Sequence, residues 1–430
     1  MPKTDAATDT NWRDTETTWR DAHPWLLLLR TFRISVGLQV LLLATLGAVA
    51  TSAGWRLAGT WNSTGGATDE SVILDVQKTE RERQYLSKWP GERREPELPA
   101  EGWISSDFER NLARAPSNPI VTIPYRLVTP LLRLFDRELS WGQYGFYLFG
   151  GFWTLFVWSL LGTAIARIAV VQLGREDRAD LSDAIDFARG RLPSVMAAAL
   201  LPIFGVVILA APIGVLGLMM KSGVGAVLAG LLWPFVIVAN GIMAMILLGL
   251  VFGWPLINTA VAAEGSDAFD AISRSYAYTF QRPLRYLFYV LVASGVGLLG
   301  WLLVWGFSEA VIALGYWSAS WGLGQSQTAA IIGPGETTLA LTGMSKFGAS
   351  LIGLWVGVVR AIASGFGYSY FWVAFSGIYL LLRQEVDSTE WDEIYDSSEA
   401  GLVYGLPKLT TDESGLPVVL STPNSEADAG

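Results

Sequence analysis

The chain of 430 residues is long enough for two or three soluble domains, but it is 51% hydrophobic and only 16% charged, which is typical of an integral membrane protein. Its formal net charge of −9 argues against a nucleic-acid partner, because binding to a phosphate backbone needs clustered cations. The absence of cysteine and the single histidine, His23, exclude disulfides, thiolate nucleophiles, iron–sulfur clusters and any metal site that needs two histidines.

Six stretches are long and apolar enough to cross a bilayer core of roughly 30 Å, which takes about 20 helical residues. We therefore predict an all-α fold, a six-span transmembrane helical bundle. The chain divides into a leader at 1–33, an extracytoplasmic loop or small cap at 56–143, a five-span membrane domain at 144–383 and a tail at 384–430. The predicted spans are 34–55, 144–165, 194–218, 232–256, 286–307 and a last span that ends at Leu382.

The arginines of the connecting loops predict the orientation, since Lys and Arg stay beside the cytoplasmic ends of spans. Loops 167–193 and 264–285 carry eight arginines, whereas the short loops on the other side hold only Lys221 and Lys346. Both termini are therefore predicted to be cytoplasmic. A cleaved signal peptide is the alternative for the first span, because 48–50 reads Ala-Val-Ala, although the long polar leader favours a retained helix.

A short pattern, D-x-x-D-A-I, occurs at 180–185 and again 87 residues later at 267–272. In each copy the first Asp can cap a helix and the second favours its positive end. We predict a short interfacial helix from each copy, turning into the membrane at Pro193 and at Pro283. The leader is similar around Pro24, so the chain reads as three hairpins, each preceded by an interfacial helix on the cytoplasmic side. Coincidence of a six-residue pattern is the alternative.

The second copy belongs to a longer run from Glu264 to Ser275, E-G-x-x-x-x-x-A-I-x-R-S, followed by an aromatic-rich span. This run resembles a broad group of uncharacterised bacterial multi-pass membrane proteins, and it is similar to the membrane domain of some glycerophosphodiester phosphodiesterases. The resemblance covers roughly 167–383. It implies a module of the bacterial inner (plasma) membrane without catalytic residues, because the chemistry of those phosphodiesterases belongs to a separate soluble barrel.

Two ionisable residues belong to the apolar helices: Arg360 falls in the last predicted span and Glu309 lies two residues beyond the fifth, and charges at such positions are costly and kept for a purpose. Both lie roughly 33–35 Å from the inner boundary at 1.5 Å per residue, so we expect them to pair near the outer interface and to fix helix register.

Asn240 is expected to donate to the carbonyl of Ile208, which Pro212 leaves without its helical donor. The alternative is a small polar pocket at Asn240 and Pro212 of the kind that transporters use.

The last span carries a small residue at every fourth position, which predicts close backbone packing against another span or a second subunit. The positions of this small-residue stripe are Ala349, Gly353, Gly357, Ala361, Gly365 and Ser369.

Elsewhere, we predict an interfacial helix at 125–139. We also predict that the tail is disordered beyond Tyr395. Residues 384–430 hold 11 Asp and Glu against Lys408 alone, so the negative charge of the chain is local and offers a place for a soluble partner to bind.

No nucleotide-binding loop, catalytic triad or cofactor motif is present, and His23 stands apart from any catalytic partner. The sequence favours a non-catalytic membrane scaffold that packs with the lipid bilayer or a partner protein over a small-solute transporter, and an enzyme is not expected.

Overall fold

The computed structural model describes residues 23–62, 118–134, 141–324, 328, 343–395, 409–411 and 417–419. These residues form nine α-helices and one two-stranded ladder, in which β1 (Leu409–Thr411) pairs antiparallel with β2 (Pro417–Val419). The two strands lie in the part of the tail that was expected to be disordered. The helices are α1 Leu27–Ser35, α2 Leu38–Asn62, α3 Pro119–Arg133, α4 Trp141–Gly174, α5 Leu181–Met219, α6 Gly223–Glu264, α7 Ala268–Gln281, α8 Pro283–Leu323 and α9 Gly343–Asp387.

Six of these helices, α2, α4, α5, α6, α8 and α9, are long and apolar enough to cross a membrane, which confirms the predicted all-α fold with six spans. The helices are longer than the predicted spans. The longest, α9, has 45 residues and therefore extends about 68 Å, more than twice the thickness of a bilayer core.

The C-terminal half of α9 is the centre of the bundle. Nearly every residue from Ala363 to Arg383 is buried, and α9 as a whole contacts helices α1, α2, α3, α4, α6, α7 and α8. Trp372 is fully buried, with its ring 6.1 Å from that of Trp158 on α4 and 5.4 Å from that of Trp254 on α6. These large aromatic side chains fill the space between three helices.

The two ends of the bundle differ. The packed end, where α6 stops at Glu264 and α9 passes Arg383, contains the buried core. The hairpin end contains the turn between α5 and α6 at 220–222, and there the most apolar windows of α5, α6 and α9 are only 11% buried. The apolar side chains of those windows therefore face outward, as lipid-facing side chains do.

The helix limits differ from the sequence-based predictions at two places. The turn expected at Pro193 is wrong, because α5 continues from Leu181 to Met219 through three prolines; long apolar helices accommodate proline when neighbouring groups satisfy the freed backbone. The first span is interrupted between Ser35 and Leu38, where Gly37 donates to the carbonyl of Ile34 at 2.9 Å. The hydroxyl of Ser369 donates to the Ser35 carbonyl at 2.6 Å and so satisfies an acceptor that the break exposes.

Helix α3 also differs from the expectation of an interfacial helix at 125–139. It begins earlier, at Pro119, after the side chain of Asn118 has accepted a hydrogen bond from the Ile120 N–H at 3.1 Å. Ile123 and Leu127 are buried, and the helix contacts α4, α8 and α9. Helix α3 is therefore part of the packed bundle.

Two glycines of the small-residue stripe provide a matched test of this packing. A Cβ on Gly365 would lie 2.2 Å from the Thr45 hydroxyl oxygen and 3.0 Å from the Thr45 Cα, whereas nothing lies within 4 Å of a Cβ on Gly357. We expect Gly365→Ala to destabilise the protein by about 1–3 kcal/mol, because backbone must move. Gly357→Ala should be neutral or stabilising by up to about 1 kcal/mol, because alanine favours helix. Thermal unfolding in detergent measures both, and equal midpoints for the two variants would contradict the packing of α9 on α2.

Candidate functional site

The two ionisable residues of the apolar helices are brought together. Arg360 donates from Nε to Oε1 of Glu309 at 2.9 Å and from Nη2 to Oε2 at 3.1 Å, a bidentate pair. The Glu309 side chain is 7% exposed and that of Arg360 is 41% exposed. Glu309 follows Arg285 by 24 residues, and Arg360 precedes Arg383 by 23. The pair therefore lies roughly 35 Å from the packed end.

Asn240 and Pro212 are not brought together in a pocket. Both are exposed, and among the described residues no hydrogen bond joins the Asn240 side chain to the carbonyl of Ile208. The expected hydrogen bond is therefore not formed, and both residues lie on exposed faces of α5 and α6.

The small-residue stripe divides into two parts. Gly365 and Ser369 are buried against α2 and α1, as the close-packing hypothesis requires. Ala349 and Ala361 are half-buried, and Gly353 and Gly357 are exposed with open space beside them. Small residues with the same four-residue spacing thus form an internal contact in one half of α9 and an outward-facing surface in the other half.

A cluster of charges at the packed end, which sequence reasoning did not select, is the best candidate site. Its centre is Glu264, the last residue of α6, whose side chain is only 11% exposed. The carboxylate lies 2.8 Å from Nε of Arg274 and 3.2 Å from Nε of Arg383, and it accepts a hydrogen bond from the Tyr379 hydroxyl at 2.6 Å. We call this cluster, with the residues that contact Arg274, the Glu264 network.

Arg274 extends the network to two more carboxylates. Its Nε lies 3.1 Å from Asp270 and its Nη1 lies 3.4 Å from Asp387, which also accepts a hydrogen bond from the Tyr278 hydroxyl. Burial alone lowers the pKa of the Arg274 guanidinium, but Glu264 and the other partners raise it above its usual range. Burial and then Asp387 raise the pKa of the Tyr278 phenol, so Arg274 stays charged and Tyr278 stays a donor.

A second ion pair continues the same surface. Arg285 at the start of α8 lies 2.8 Å from Glu385 near the end of α9, and the Tyr289 hydroxyl donates to the same carboxylate. The Glu385 carboxylate therefore joins the start of α8 to the end of α9.

The chain that follows α9, at 388–395, closes the packed end, and we call it the cap segment. Arg167 donates to the carbonyl of Tyr395 at 2.7 Å and to that of Ala262 at 2.9 Å. Arg175 donates to the carbonyl of Ile394 at 2.5 Å. The Tyr395 N–H donates to the carbonyl of Ala263 at 2.8 Å. Arg167 of α4 and Arg175, the residue after its end, therefore hold the cap segment through its backbone, together with the Ala263 carbonyl of α6.

Local sequence explains how these residues arrive at the site. Helix α6 stops at Glu264 because Gly265 has a φ of 60°, a left-handed conformation that glycine adopts at no steric cost. Asp267 then caps α7 by accepting a hydrogen bond from the Asp270 N–H at 2.9 Å. Arg274 lies two helical turns further on, so its side chain reaches back to Glu264. The E-G-x-x-x-x-x-A-I-x-R-S run contained this signal, since both charges of the central pair belong to it.

The chemistry of the site is that of structural ion pairing. Each carboxylate of the Glu264 network contacts a guanidinium or a phenol, so its lone pairs are already engaged. Within the part of the chain that the structure describes, no group of three or more His, Asp and Glu side chains is arranged to hold a metal ion. The arrangement joins α6, α7 and α9 at one level.

Fold and site together define a multi-pass α-helical membrane protein whose helix ends are joined by a buried charge network. No known protein family, curated protein or solved structure matches the chain. The resemblance inferred from the run at 264–275 therefore stays a prediction.

Removal of the central carboxylate should weaken the whole packed end. Glu264→Gln leaves Arg383, whose side chain is 8% exposed, without its counter-charge, and breaking a buried pair in this way costs about 3–5 kcal/mol. The control is Glu176→Gln, which breaks the pair of Glu176 with Arg30, whose side chains are 47% and 44% exposed; such pairs contribute about 0–1 kcal/mol. Thermal unfolding in detergent compares the variants, and a loss no larger than that of the control would show that the network is not structural.

Proposed function

We propose that this protein is a non-catalytic membrane module of the bacterial inner (plasma) membrane, a scaffold that packs with lipid and with a partner protein. The observation that carries the proposal is the Glu264 network. Its carboxylates contact arginines and tyrosines of the same network, and the neighbouring Arg167 binds the cap segment, so these contacts stabilise a platform at one membrane face. A catalytic or transport site instead keeps charged groups available to a substrate.

In this proposal the packed end faces the cytoplasm, with both termini on that side. The sequence-based orientation assigns to this end Arg30, Arg33, the eight arginines of loops 167–193 and 264–285, and Arg383. This excess of arginine on the cytoplasmic side is the positive-inside pattern. Helix α7 fits an interfacial position, because Phe269 is 72% exposed and Leu284, just beyond the helix, is 80% exposed beside charged neighbours. The three hairpins are then α2 with α4, α5 with α6, and α8 with α9.

The small-solute transporter remains the alternative prediction, but no observation favours it over the scaffold. It depended on a polar pocket at Asn240 and Pro212, and both residues are exposed. The charged pair Glu309–Arg360 is bidentate and lies near one boundary of the bundle, where pairing of two helices is the simplest role.

The acidic tail is the proposed place for a soluble partner. The cap segment binds the chain to the packed end as far as Tyr395, so the tail begins at the proposed cytoplasmic face. Residues 396–430 hold six Asp and Glu against Lys408. A partner with a basic surface would be steered to this segment by its charge.

Two introduced cysteines test the orientation in a chain that has none of its own. Ser273 on α7 and Lys221 in the turn between α5 and α6 are both exposed. We expect Lys221→Cys to react with a membrane-impermeant maleimide in intact spheroplasts and Ser273→Cys to react only after lysis. The reverse labelling would place the packed end outside the cell.

Truncation after Tyr395 tests the scaffold role while it preserves the cap segment. We expect the full chain, solubilised in mild detergent, to run on native gels as a complex, and the chain without 396–430 to run as a smaller species with an unchanged unfolding midpoint. A full-length tail with Asp412, Glu413, Glu426 and Asp428 changed to Asn or Gln separates charge from length. Identical mobility of all three chains would contradict the proposal.

Asn240→Leu separates the two candidate functions. The scaffold predicts that this variant retains growth and complex formation, because an exposed apolar side chain replaces an exposed amide within an apolar surface. Retained complex formation together with lost uptake of a solute would make the transporter the better description.

A further inference from the structure

A groove of about 570 Å³ lies between α2 and α9, away from the Glu264 network. Alanine and serine side chains form its walls together with Val49 and Leu57, and Arg56 is the one charged residue among those that line it. Two hydroxyls in the walls are used within their own helices, since Ser52 donates to the Ala48 carbonyl at 2.9 Å and Ser364 donates to the Ala361 carbonyl at 3.1 Å. The groove is therefore apolar along its length and cationic at one end.

The depth of Arg56 follows from contacts along α4. The ring of Trp55 lies against Gly150, and Gly174 lies against the backbone of Trp391 in the cap segment at the packed end. Gly150 and Gly174 are 24 residues apart on one helix, which is roughly 36 Å. Arg56 thus lies at nearly the same depth as the Glu309–Arg360 pair.

These charges indicate where the membrane ends. Arg56, Glu309 and Arg360 lie roughly 35 Å from the packed end. This distance is about the thickness of a hydrocarbon core, about 30 Å, plus the edge of the headgroup layer. Arg56 is exposed, and among the described residues it forms no ion pair or hydrogen bond, whereas Arg360 binds Glu309. A guanidinium at this level suits a phosphate, which it binds by charge-assisted hydrogen bonds.

We propose that this groove binds one phospholipid, with its phosphate on Arg56 and one acyl chain between α2 and α9. From Arg56 the groove passes Ala53 and Ser52 to Ala48, eight residues or about 12 Å toward the packed end, so an acyl chain would lie along the bilayer interior. The site does not depend on the proposed scaffold function.

The charge at one end of the groove favours a lipid over a helix of a second copy, because a phosphate matches the exposed guanidinium of Arg56. A groove of this size is in the range of small-ligand pockets, about 300–1,000 Å³. Charge complementarity with Arg56 then selects a chain that carries a phosphate.

The test uses the full-length protein in nanodiscs of phosphatidylethanolamine and phosphatidylglycerol that contain a phospholipid with a photoreactive acyl chain. After illumination, mass spectrometry should place the label on the α2 and α9 peptides that line the groove. Ala53→Trp fills the groove and should reduce this label about tenfold, whereas Leu46→Trp, at a position on α2 that is 57% exposed and outside the groove, should leave it unchanged.

Arg56→Gln tests the headgroup contact at a surface position that the fold does not need. We expect it to reduce groove labelling about tenfold, the effect of one lost charge-assisted contact, and Arg56→Lys to restore most of it. Label spread evenly over groove and other lipid-facing peptides would overturn the proposal, as would equal labelling of the Ala53→Trp and Leu46→Trp variants. An efficient disulfide between two copies of Ala53→Cys would instead make the groove a contact between chains.

Discussion

The burial of the Glu264 carboxylate is the constraint on which the rest of the bundle depends. A carboxylate that is 11% exposed is costly unless charged partners reach it, and here the partners come from two other helices: Arg274 from α7, and Arg383 and Tyr379 from α9. Their meeting fixes the position of α9 along its axis against α6. Once that position is fixed, Trp372 lies between Trp158 and Trp254 and Gly365 lies on Thr45, so the charge network and the apolar core support the same register.

The molecule divides along its length into regions with different physical roles. At the packed end, arginines bind carboxylates and backbone carbonyls, and the cap segment covers the last turn of α6. About 35 Å away, Arg56 and the Glu309–Arg360 pair form a second charged level. Between these levels the surface of α5, α6 and α8 is apolar and exposed, which is stable only in contact with lipid or another apolar surface. The proposed scaffold function and the proposed phospholipid site both follow from this division, although neither requires the other.

The sequence predicted some elements correctly because their causes are local. The Asp267 cap and the start of α8 at Pro283 each depend on the backbone preferences of one or two residues. Pro193 shows the limit of such reasoning, because proline ends a helix in water but α5 continues through it in the apolar bundle. The Glu264 network was missed for a different reason: Glu264 and Arg383 are 119 residues apart, and no local preference indicates which helices become neighbours.

By itself the sequence determined the class of this protein, its six spans and their limits in outline, because apolar length is a property of each segment and the membrane accepts any segment that is long and apolar enough. Tertiary structure alone decided what each polar or small residue does. Gly365 is packed against α2 while Gly357, eight residues earlier on the same stripe, faces outward, and Asn240 is exposed while Glu264 is buried. The difference lies in the register between helices, which is set by the sum of many weak contacts and by the few charge pairs that burial forces to form.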